Sequence, residues 1–244
     1  MSKILVIGDS CTDNFVYCDI NRLCPEAPVP VLTPLSVIIN PGMAGNVVAN
    51  LESLGSETYN ITSFSNTTKT RYVDNKSGQM IMRFDEEDSP ELCSADFKDY
   101  FEKYKFDAVI ISDYNKGFLT EDIIKQISQT CKCNTFLDTK KRLGEWCKNI
   151  DFIKINLPEY NMNKNYTYDN VIVTDGKNGA DYIKTGKNYS VKEEVKVSNV
   201  SGAGDTFLAG LAYEFINTKD IEKAIEFAND CASKVIQERG VTTI

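Results

Sequence analysis

Short apolar segments alternate along this chain with longer segments that have helical periodicity. The apolar segments are residues 4–7, 58–63, 108–111, 135–138, 152–155 and 171–174. The helical segments are residues 43–54, 120–130, 203–216 and 221–237. Strands and helices that alternate in this way form a mostly parallel sheet with helices on both faces. The sequence therefore predicts an α/β fold around one central sheet.

Two further pairs of segments do not follow this alternation. Residues 15–20 and 29–39 have the pattern of extended chain, as do residues 70–74 and 79–84. The last two flank Asn75-Lys76-Ser77-Gly78, which is typical of a hairpin turn. We expect segments of about 15–39 and 70–84 to form a small antiparallel β lid beside the main sheet. Because no internal repeat or flexible linker is present, residues 1–244 are predicted to form one domain.

Composition limits the partners of the chain. Of its 244 residues, 42% are hydrophobic, so a sizeable core can be buried. A formal net charge of −8 argues against a nucleic-acid partner or an anionic membrane surface. No segment approaches the length of a transmembrane helix, and the first residues do not resemble a signal peptide. We therefore expect a cytoplasmic protein whose eight cysteines are reduced.

The sequence contains no histidine. This excludes Ser-His and Cys-His nucleophile pairs, zinc held by imidazole, and any imidazole acid or base. Proton transfer must then fall to a carboxylate, a lysine, a tyrosine or a cysteine.

A glycine-rich stretch, Ser201-Gly202-Ala203-Gly204-Asp205, opens the first C-terminal helical segment. Glycines at a helix start let backbone N–H groups approach a ligand, and the helix N-terminus favours an anion. In this interpretation Asp205 lies beside the bound anion. The alternative is an ordinary helix start with an acidic residue in its first turn. The sequence has neither a P-loop nor a dinucleotide-binding fingerprint.

Other polar residues follow the predicted strands. Asn156 and Glu159 come directly after residues 152–155, where they either support Mg²⁺ through water or form an ordinary turn around Pro158. Ligands of open parallel sheets bind beyond the carboxyl ends of the strands. Carboxylates and lysines at these ends suit a phosphorylated, polyhydroxylated ligand. The residues in question are Asp9, Asp13, Asp113, Lys116, Asp138 and Lys140.

Several motifs together resemble the ribokinase-like (PfkB) carbohydrate kinases. They are Gly202-Ala203-Gly204-Asp205, Asn156-x-x-Glu159 and Pro41-Gly42-x-x-x-Asn46. Residues 22–31, with Pro25-Glu26-Ala27-Pro28-Val29-Pro30, are similar more specifically to the kinase half of bifunctional ADP-heptose synthases. Residues 68–71, 83–87, 112–117 and 138–140 are similar to the same half. The resemblance runs from the first strand to the last helix.

This resemblance implies a ribokinase-like sheet with a β lid, and phosphoryl transfer from ATP with Mg²⁺. It makes Asp205 the catalytic base and Gly202, Ala203 and Gly204 the anion-binding backbone. The implied substrate-binding residues are Asp9, Asp13, Gly42, Asn46, Asp113 and Lys140, with Lys69 and Arg71 as further phosphate contacts. The implied nucleotide-binding residues are Asn156, Thr174, Asp175, Gly176, Gly202, Gly204 and Asn229. Asn156 and Glu159 would hold the metal through water.

Several positions depart from the motifs of these kinases. Met43 stands where a glycine is usual, Asn199 replaces an aspartate, and Ser201 replaces a threonine. The span between residues 61 and 69 is much shorter than in the relatives, and we expect no adenylyltransferase half in this chain. These differences leave the catalytic stretch intact but affect substrate choice.

The resemblance implies an ATP-dependent sugar-phosphate kinase acting on D-glycero-D-manno-heptose 7-phosphate. Two alternatives stay open: a kinase of the same fold with another sugar or nucleoside acceptor, and a non-catalytic sugar-phosphate-binding module. The expected partner is therefore a small sugar phosphate. The resemblance also suggests a homodimer formed through the lid.

Overall fold

The computed structural model describes residues 1–63, 67–87, 89–166, 168–192, 195 and 197–244. The strands are β1 (Lys3–Gly8), β2 (Ser10–Asp19), β3 (Thr33–Met43), β4 (Glu57–Thr62), β5 (Thr68–Asp74), β6 (Met80–Glu86), β7 (Ala108–Asp113), β8 (Asn134–Thr139), β9 (Phe152–Asn156), β10 (Val171–Thr174), β11 (Ala180–Tyr182) and β12 (Lys187–Tyr189). The helices are α1 (Ala44–Ser53), α2 (Phe97–Lys103), α3 (Glu121–Thr130), α4 (Leu157–Met162), α5 (Ala203–Thr218) and α6 (Ile221–Val235).

The main sheet has eight strands in the order β12-β11-β10-β9-β8-β7-β1-β4. Strands β10, β9, β8, β7, β1 and β4 are parallel to one another. At the other end of the sheet, β11 pairs antiparallel with β10, and β12 pairs antiparallel with β11. Parallel strands bring their carboxyl ends to one edge of the sheet, so the loops after β1, β7, β8, β9 and β10 are neighbours. The predicted α/β class and the mostly parallel central sheet are confirmed.

Two apolar layers cover the two faces of this sheet. Side chains of β1 alternate between them, with Ile4 and Val6 in one layer and Leu5 and Ile7 in the other. The first layer packs against α1, α5 and α6, and the second contains buried residues of α2 and α3. Burial on both faces is the reason that these strands are continuously apolar in sequence.

A second sheet of four strands, in the order β3-β2-β5-β6, lies beside the main sheet. β5 and β6 form the predicted hairpin, and β2 pairs antiparallel with β3. The prediction of a wholly antiparallel lid is wrong, because the central pair, β2 and β5, is parallel. These two strands come from separate parts of the chain, so no tight turn imposes an antiparallel pairing on them. The four strands also extend beyond the predicted segments, from Ser10 to Met43 and from Thr68 to Glu86.

The sequence patterns located most elements within two residues. Thr120 caps α3 as its position suggests, accepting a hydrogen bond from the backbone N–H of Ile123. The patterns missed α2, α4, β11 and β12, which have only seven, six, three and three residues and are too short to show periodicity. The shortened span 61–69 includes residues 64–66, which lie outside the described residues. Within the described chain, no helix is long and apolar enough to cross a lipid bilayer.

Candidate active site

Two glycines at the start of α5 lie in close contact with side chains from other elements. Gly202 adopts a left-handed conformation with φ of 82°, and a Cβ atom there would lie 2.7 Å from Nδ2 of Asn46. A Cβ atom on Gly204 would lie 2.9 Å from Nζ of Lys154. The left-handed backbone therefore favours glycine at position 202, whereas a side chain at position 204 would require the end of the Lys154 side chain to shift. The first N–H groups of a helix have no partner within the helix, which favours an anion there, although the N–H of Ala203 donates to the carbonyl of Val200 at 3.4 Å.

Asp205 lies in the first turn of α5 and is buried, with 4% of its surface exposed. Oδ2 accepts a hydrogen bond of 3.1 Å from Nδ2 of Asn46, and Oδ1 accepts one of 2.7 Å from the hydroxyl group of Tyr114. Burial raises the pKa of Asp205 to about 6, although the two hydrogen bonds work in the opposite direction. Asp205 is consequently ionised at neutral pH and has a pKa suited to accepting a proton.

Asn46 is held in place by its own helix. Nδ2 of Asn50 donates to the backbone oxygen and to Oδ1 of Asn46, at 2.8 and 3.0 Å. These bonds leave the amide of Asn46 to donate to Asp205 and to the carbonyl of Gly202. Met43, directly before this helix, is buried and has φ of 56° and ψ of −129°. Such a conformation costs a residue with a side chain about 1–3 kcal/mol, so the turn around Met43 stores backbone strain.

Asp9 follows β1 and is buried at the same edge of the sheet. Oδ2 accepts hydrogen bonds from the backbone N–H groups of Tyr114 and Lys116, at 2.8 and 3.3 Å. Within the described residues, Oδ1 of Asp9 is buried and has no hydrogen-bond partner. Burial raises the pKa of Asp9 above its ordinary value. A buried acceptor of this kind needs a donor, and a ligand hydroxyl group would supply one.

The lid contributes Asp13, which lies in β2 and not in the loop after β1. Its Oδ1 pairs with Arg71 at 2.6 Å, and a Cβ atom on Gly42 would lie 2.6 Å from its Oδ2. Gly42 therefore permits β3 to pass close to this carboxylate. Lys69, on β5, lies over the ring of Tyr114 with 5.2 Å between Nζ and the ring centroid. The guanidinium of Arg71 is committed to Asp13, whereas Lys69 is directed towards the α5 side of the site.

Strands β8 and β9 end in a cluster of two carboxylates and two lysines. Asp138 pairs with Lys154 at 2.6 Å and with Lys140 at 3.4 Å, and Lys140 pairs with Glu159 at 2.6 Å. Burial by itself raises the pKa of Asp138, but the two ammonium groups outweigh that effect and hold the pKa below its ordinary value. The cluster places two cations near the N-terminus of α5.

Asn156 and Glu159 form a capping box at the start of α4. The side chain of Asn156 accepts a hydrogen bond of 2.8 Å from the backbone N–H of Glu159. In return, the carboxylate of Glu159 accepts one of 2.8 Å from the backbone N–H of Asn156. Within the described chain, no three His, Cys, Asp or Glu side chains cluster as a metal site. The side-chain oxygens of Asn156 and Glu159 already have protein partners, because Oε1 of Glu159 also pairs with Lys140. These residues therefore fit Mg²⁺ through its water ligands, several of which that ion keeps.

Asp113 closes β7 but turns towards the protein. Its carboxylate accepts from the hydroxyl group of Thr139 at 2.5 Å and pairs with Lys141 at 2.5 Å. Both oxygens are thus used to fasten β7 to the end of β8 and the residues after it, although Asp113 lies close enough to Asp9 for its charge to raise the pKa of that residue. The role of Asp113 in substrate binding stays a prediction. Lys116, nearby, pairs with Glu87.

A cavity of about 500 Å³ lies beyond β10, between the N-terminus of α5 and helix α6. Five predicted residues line it: Thr174, Gly176, Ala203, Gly204 and Asn229. Three predicted nucleotide-binding residues, Asn156, Asp175 and Gly202, do not line the cavity. The carboxylate of Asp175 accepts a hydrogen bond from Nδ2 of Asn178 within its own turn. Sequence reasoning missed other lining residues, among them Lys177, Phe207, Ser233 and Ile236. The apolar members of this set give the cavity the character of a site for a flat, partly apolar group.

Two side chains central to the site were not predicted from the sequence. Tyr114 lies in the resemblance motif of residues 112–117, and Lys154 is the one charged residue within the apolar segment of β9. A lysine in an otherwise apolar, buried strand is itself a signal of a buried ion pair. The importance of Tyr114 emerges only when α5 is placed opposite β7.

Comparison with solved structures defines the class of this protein. Phosphofructokinase-2 from Escherichia coli superposes with a TM-score of 0.75 at 16% identity, covering 100% of this chain and 96% of the other. Ribokinase from Thermotoga maritima superposes with a TM-score of 0.70 at 17% identity, covering 99% and 95%. The fold is that of the ribokinase-like kinases, as predicted.

The family follows from the sequence comparison. Residues 56–244 match the profile of the pfkB family carbohydrate kinases. The chain belongs to this family and is a carbohydrate kinase. Members of the family transfer a phosphoryl group from ATP, generally with Mg²⁺, to small sugar substrates.

Individual relatives are bifunctional proteins. HldE of Campylobacter jejuni strain RM1221 is 28% identical over 288 aligned residues, covering 99% of this chain and 62% of its own length. HldE of Helicobacter pylori strain J99 is 29% identical, covering 98% of this chain and 64% of its own length. The chain thus spans less than two thirds of the length of these relatives.

Proposed function

We propose that this kinase phosphorylates D-glycero-D-manno-heptose 7-phosphate at O1, giving the 1,7-bisphosphate. Residues 22–31 and four further stretches resemble the kinase half of ADP-heptose synthases, and the similarity to bifunctional HldE proteins supports the same choice. The observation that carries the proposal is the position of Asp205, buried beside the glycine backbone of α5 and opposite the lysines of β8 and β9.

Asp205 acts as the base in this proposal. The O–H bond of the sugar breaks, its proton passes to the carboxylate of Asp205, and the sugar oxygen forms a bond to the γ-phosphorus. The bond between that phosphorus and the β,γ-bridging oxygen breaks, and ADP leaves with the electron pair. N–H groups of residues 202–205 hold the transferring group, whose charge is spread over its oxygens. Asn156 and Glu159 would hold Mg²⁺ through water, and the ion would supply positive charge that offsets the charge of the phosphates.

The proposed substrate contacts form two groups, one for the hydroxyl groups of the sugar and one for its phosphate. Asp9, Asn46 and the region around Gly42 would bind the sugar hydroxyl groups, because Asp9 has a buried acceptor without a partner. Lys140 and Lys69 would bind the phosphate already present on the substrate. Lys140 is suited to this role since its side chain stays about one third exposed despite two carboxylate partners. The nucleotide would occupy the cavity bordered by Thr174, Gly176 and Asn229.

Turnover assays with ATP test this assignment. The protein is incubated with Mg²⁺, ATP and a panel of heptose 7-phosphates, hexose phosphates, free sugars and nucleosides, and ADP release is followed with mass analysis of the product. We expect the highest kcat/KM with the heptose 7-phosphate. A higher value with another acceptor would support the alternative that the strained Met43 indicates, a kinase of changed specificity. Sugar-phosphate binding without any turnover would instead identify a non-catalytic binding module.

We also propose that two copies associate through the lid. Its edge strands β3 and β6 expose apolar side chains on alternate positions, and an apolar surface of this extent in a soluble protein marks an interface. Those side chains are Leu35, Val37, Ile39, Met80, Met82 and Phe84, each between 47% and 67% exposed. A second lid would cover both the apolar side chains and the unpaired edges of these strands.

A further inference from the structure

Tyr114 connects the two halves of the candidate site. It follows β7 directly, and its backbone N–H donates to Oδ2 of Asp9 at 2.8 Å. Its hydroxyl group donates to Oδ1 of Asp205 at 2.7 Å. One residue is thus anchored at its backbone by the proposed sugar-binding carboxylate and at its side chain by the proposed base.

The ring of Tyr114 also contacts two cations from different elements. Nζ of Lys69, on the lid, lies 5.2 Å from the ring centroid, and Nζ of Lys140, after β8, lies 5.3 Å from it. An ammonium group at this distance is attracted by the electrons of the ring. The ring thus contacts a lysine of the lid and Lys140, and the ammonium group of Lys140 also pairs with Asp138 and Glu159.

The hydroxyl group of Tyr114 stays protonated and therefore acts as a hydrogen-bond donor. Burial, followed by the negative charge of Asp205, raises the pKa of Tyr114 well above its ordinary value. The other charged groups that act on Asp205 are Asp138, which favours its protonated form, and Lys154, which favours its ionised form. The charge of Asp205 also acts on Cys11, a buried residue of β2, and burial raises the pKa of its thiol to about 12, so the thiol stays neutral. Two side chains, those of Tyr114 and Asn46, donate hydrogen bonds to the carboxylate of Asp205.

We propose that Tyr114 is a positioning residue that aims the Asp205 carboxylate and, through its ring, sets the two phosphate-binding lysines beside it. This inference rests on the proposed function. The two hydrogen bonds fix the plane of the carboxylate and stabilise its charged form, so the base stays ionised at neutral pH despite its burial. The hydroxyl group and the ring carry separable parts of the role.

Three variants separate these parts. Tyr114→Phe removes the hydroxyl group but keeps the ring, whereas Tyr114→Leu removes both. Tyr168→Phe is the matched control, since the hydroxyl group of Tyr168 makes one hydrogen bond of 2.8 Å to the carbonyl of Gly144, outside the site. The acid limb of kcat/KM with heptose 7-phosphate is measured for each, together with KM for the sugar phosphate.

For the wild type we expect the acid limb of kcat/KM to have its midpoint near pH 6, because the pKa of Asp205 is about 6. In Tyr114→Phe it moves about one pH unit upward, because a hydrogen bond to the charged form is lost. KM of that variant stays within about twofold, whereas Tyr114→Leu raises KM about tenfold through loss of the cation contacts. Tyr168→Phe keeps the wild-type profile. An unmoved limb in Tyr114→Phe overturns the positioning role, and equal KM values in Tyr114→Phe and Tyr114→Leu overturn the role of the ring.

A second measurement does not need turnover. The carboxyl carbon of Asp205 is titrated by ¹³C NMR in protein labelled at aspartate, with Asp205→Asn to assign the signal. Tyr114→Phe should raise the midpoint of this titration about one pH unit, by the same loss of a hydrogen bond. If the wild type phosphorylates no sugar but the midpoint moves, the proposed function fails and the contact of Tyr114 with Asp205 stands. If the midpoint does not move, the inference about Tyr114 fails by itself.

Discussion

Lys154 and Asp138 form an ion pair of 2.6 Å at the carboxyl ends of adjacent parallel strands, and both side chains are almost completely buried. The same ammonium group lies where a Cβ atom of residue 204 would come within 2.9 Å. A lysine at the positive end of a helix is unfavourable by itself, and Asp138 compensates that charge. The pair thus places a buried cation against the backbone at the start of α5, where we propose that the phosphate binds.

The first prediction concerns this ion pair. Asp138→Asn should lower the free energy of unfolding by about 3–5 kcal/mol, because it leaves the buried charge of Lys154 without its partner. The control is Glu145→Gln, which removes the partner of the exposed Lys148 and should change stability by less than about 1 kcal/mol. Urea denaturation of the wild type and the two variants measures both changes in the free energy of unfolding. Equal stability of the two variants would contradict the structural importance of the buried pair.

Gly204→Ala should reduce kcat/KM for ATP about tenfold or more. Its methyl group would displace the ammonium of Lys154 at the helix start where we propose that the transferring group binds. The control on the same helix is Gly210→Ala, whose methyl group would contact Cys231 of α6 and not the site. Steady-state kinetics and circular dichroism distinguish lost function from lost helix. Wild-type kinetics of Gly204→Ala would show that this face of α5 does not bind the phosphate.

Asp205→Asn should lower kcat by about 10³-fold or more, with KM for both substrates changed only a few-fold. A general base acts in the transition state, so its removal affects the rate more than substrate binding. Single-turnover kinetics with heptose 7-phosphate measure the rate, and calorimetric titration with a non-hydrolysable ATP analogue checks binding. Near-normal turnover of this variant would assign the base elsewhere.

Lys140→Ala should raise KM for the phosphorylated sugar at least tenfold and leave KM for ATP within about twofold, since the ammonium group meets the substrate phosphate as a point charge. Lys148→Ala is the control, because Lys148 also pairs with a glutamate but lies on the exposed surface. The comparison uses steady-state kinetics at several salt concentrations. An unchanged KM in Lys140→Ala would move the phosphate site away from β8.

Phe84→Asp should convert a dimer into a monomer. The carboxylate would enter an apolar interface without a partner, which is costly. Sedimentation velocity of the wild type and of this variant measures the change, and Ser77→Asp, at the exposed turn between β5 and β6, serves as the charge control. A wild-type protein that sediments as a monomer at micromolar concentration would refute association through the lid.

The sequence determined the alternation of strands and helices, since each buried strand must be apolar and each helix must present an apolar face. It also located Gly202, Gly204 and Asp205 at the start of α5, because glycine and acidic residues at a helix start have specific backbone consequences. The absence of histidine restricted the base to the few remaining residue types. These are local properties, which depend on neighbouring residues in the chain.

Only the tertiary structure decided which distant side chains meet. The parallel pairing of β2 with β5, the hydrogen bond of Tyr114 to Asp205 and the position of Lys154 under Gly204 join segments far apart in sequence. Asp113 has the sequence context of a ligand contact, but Thr139 and Lys141 use its oxygens. The order of strands in the sheet decides such contacts, and that order follows from packing of the whole chain, which no local pattern specifies.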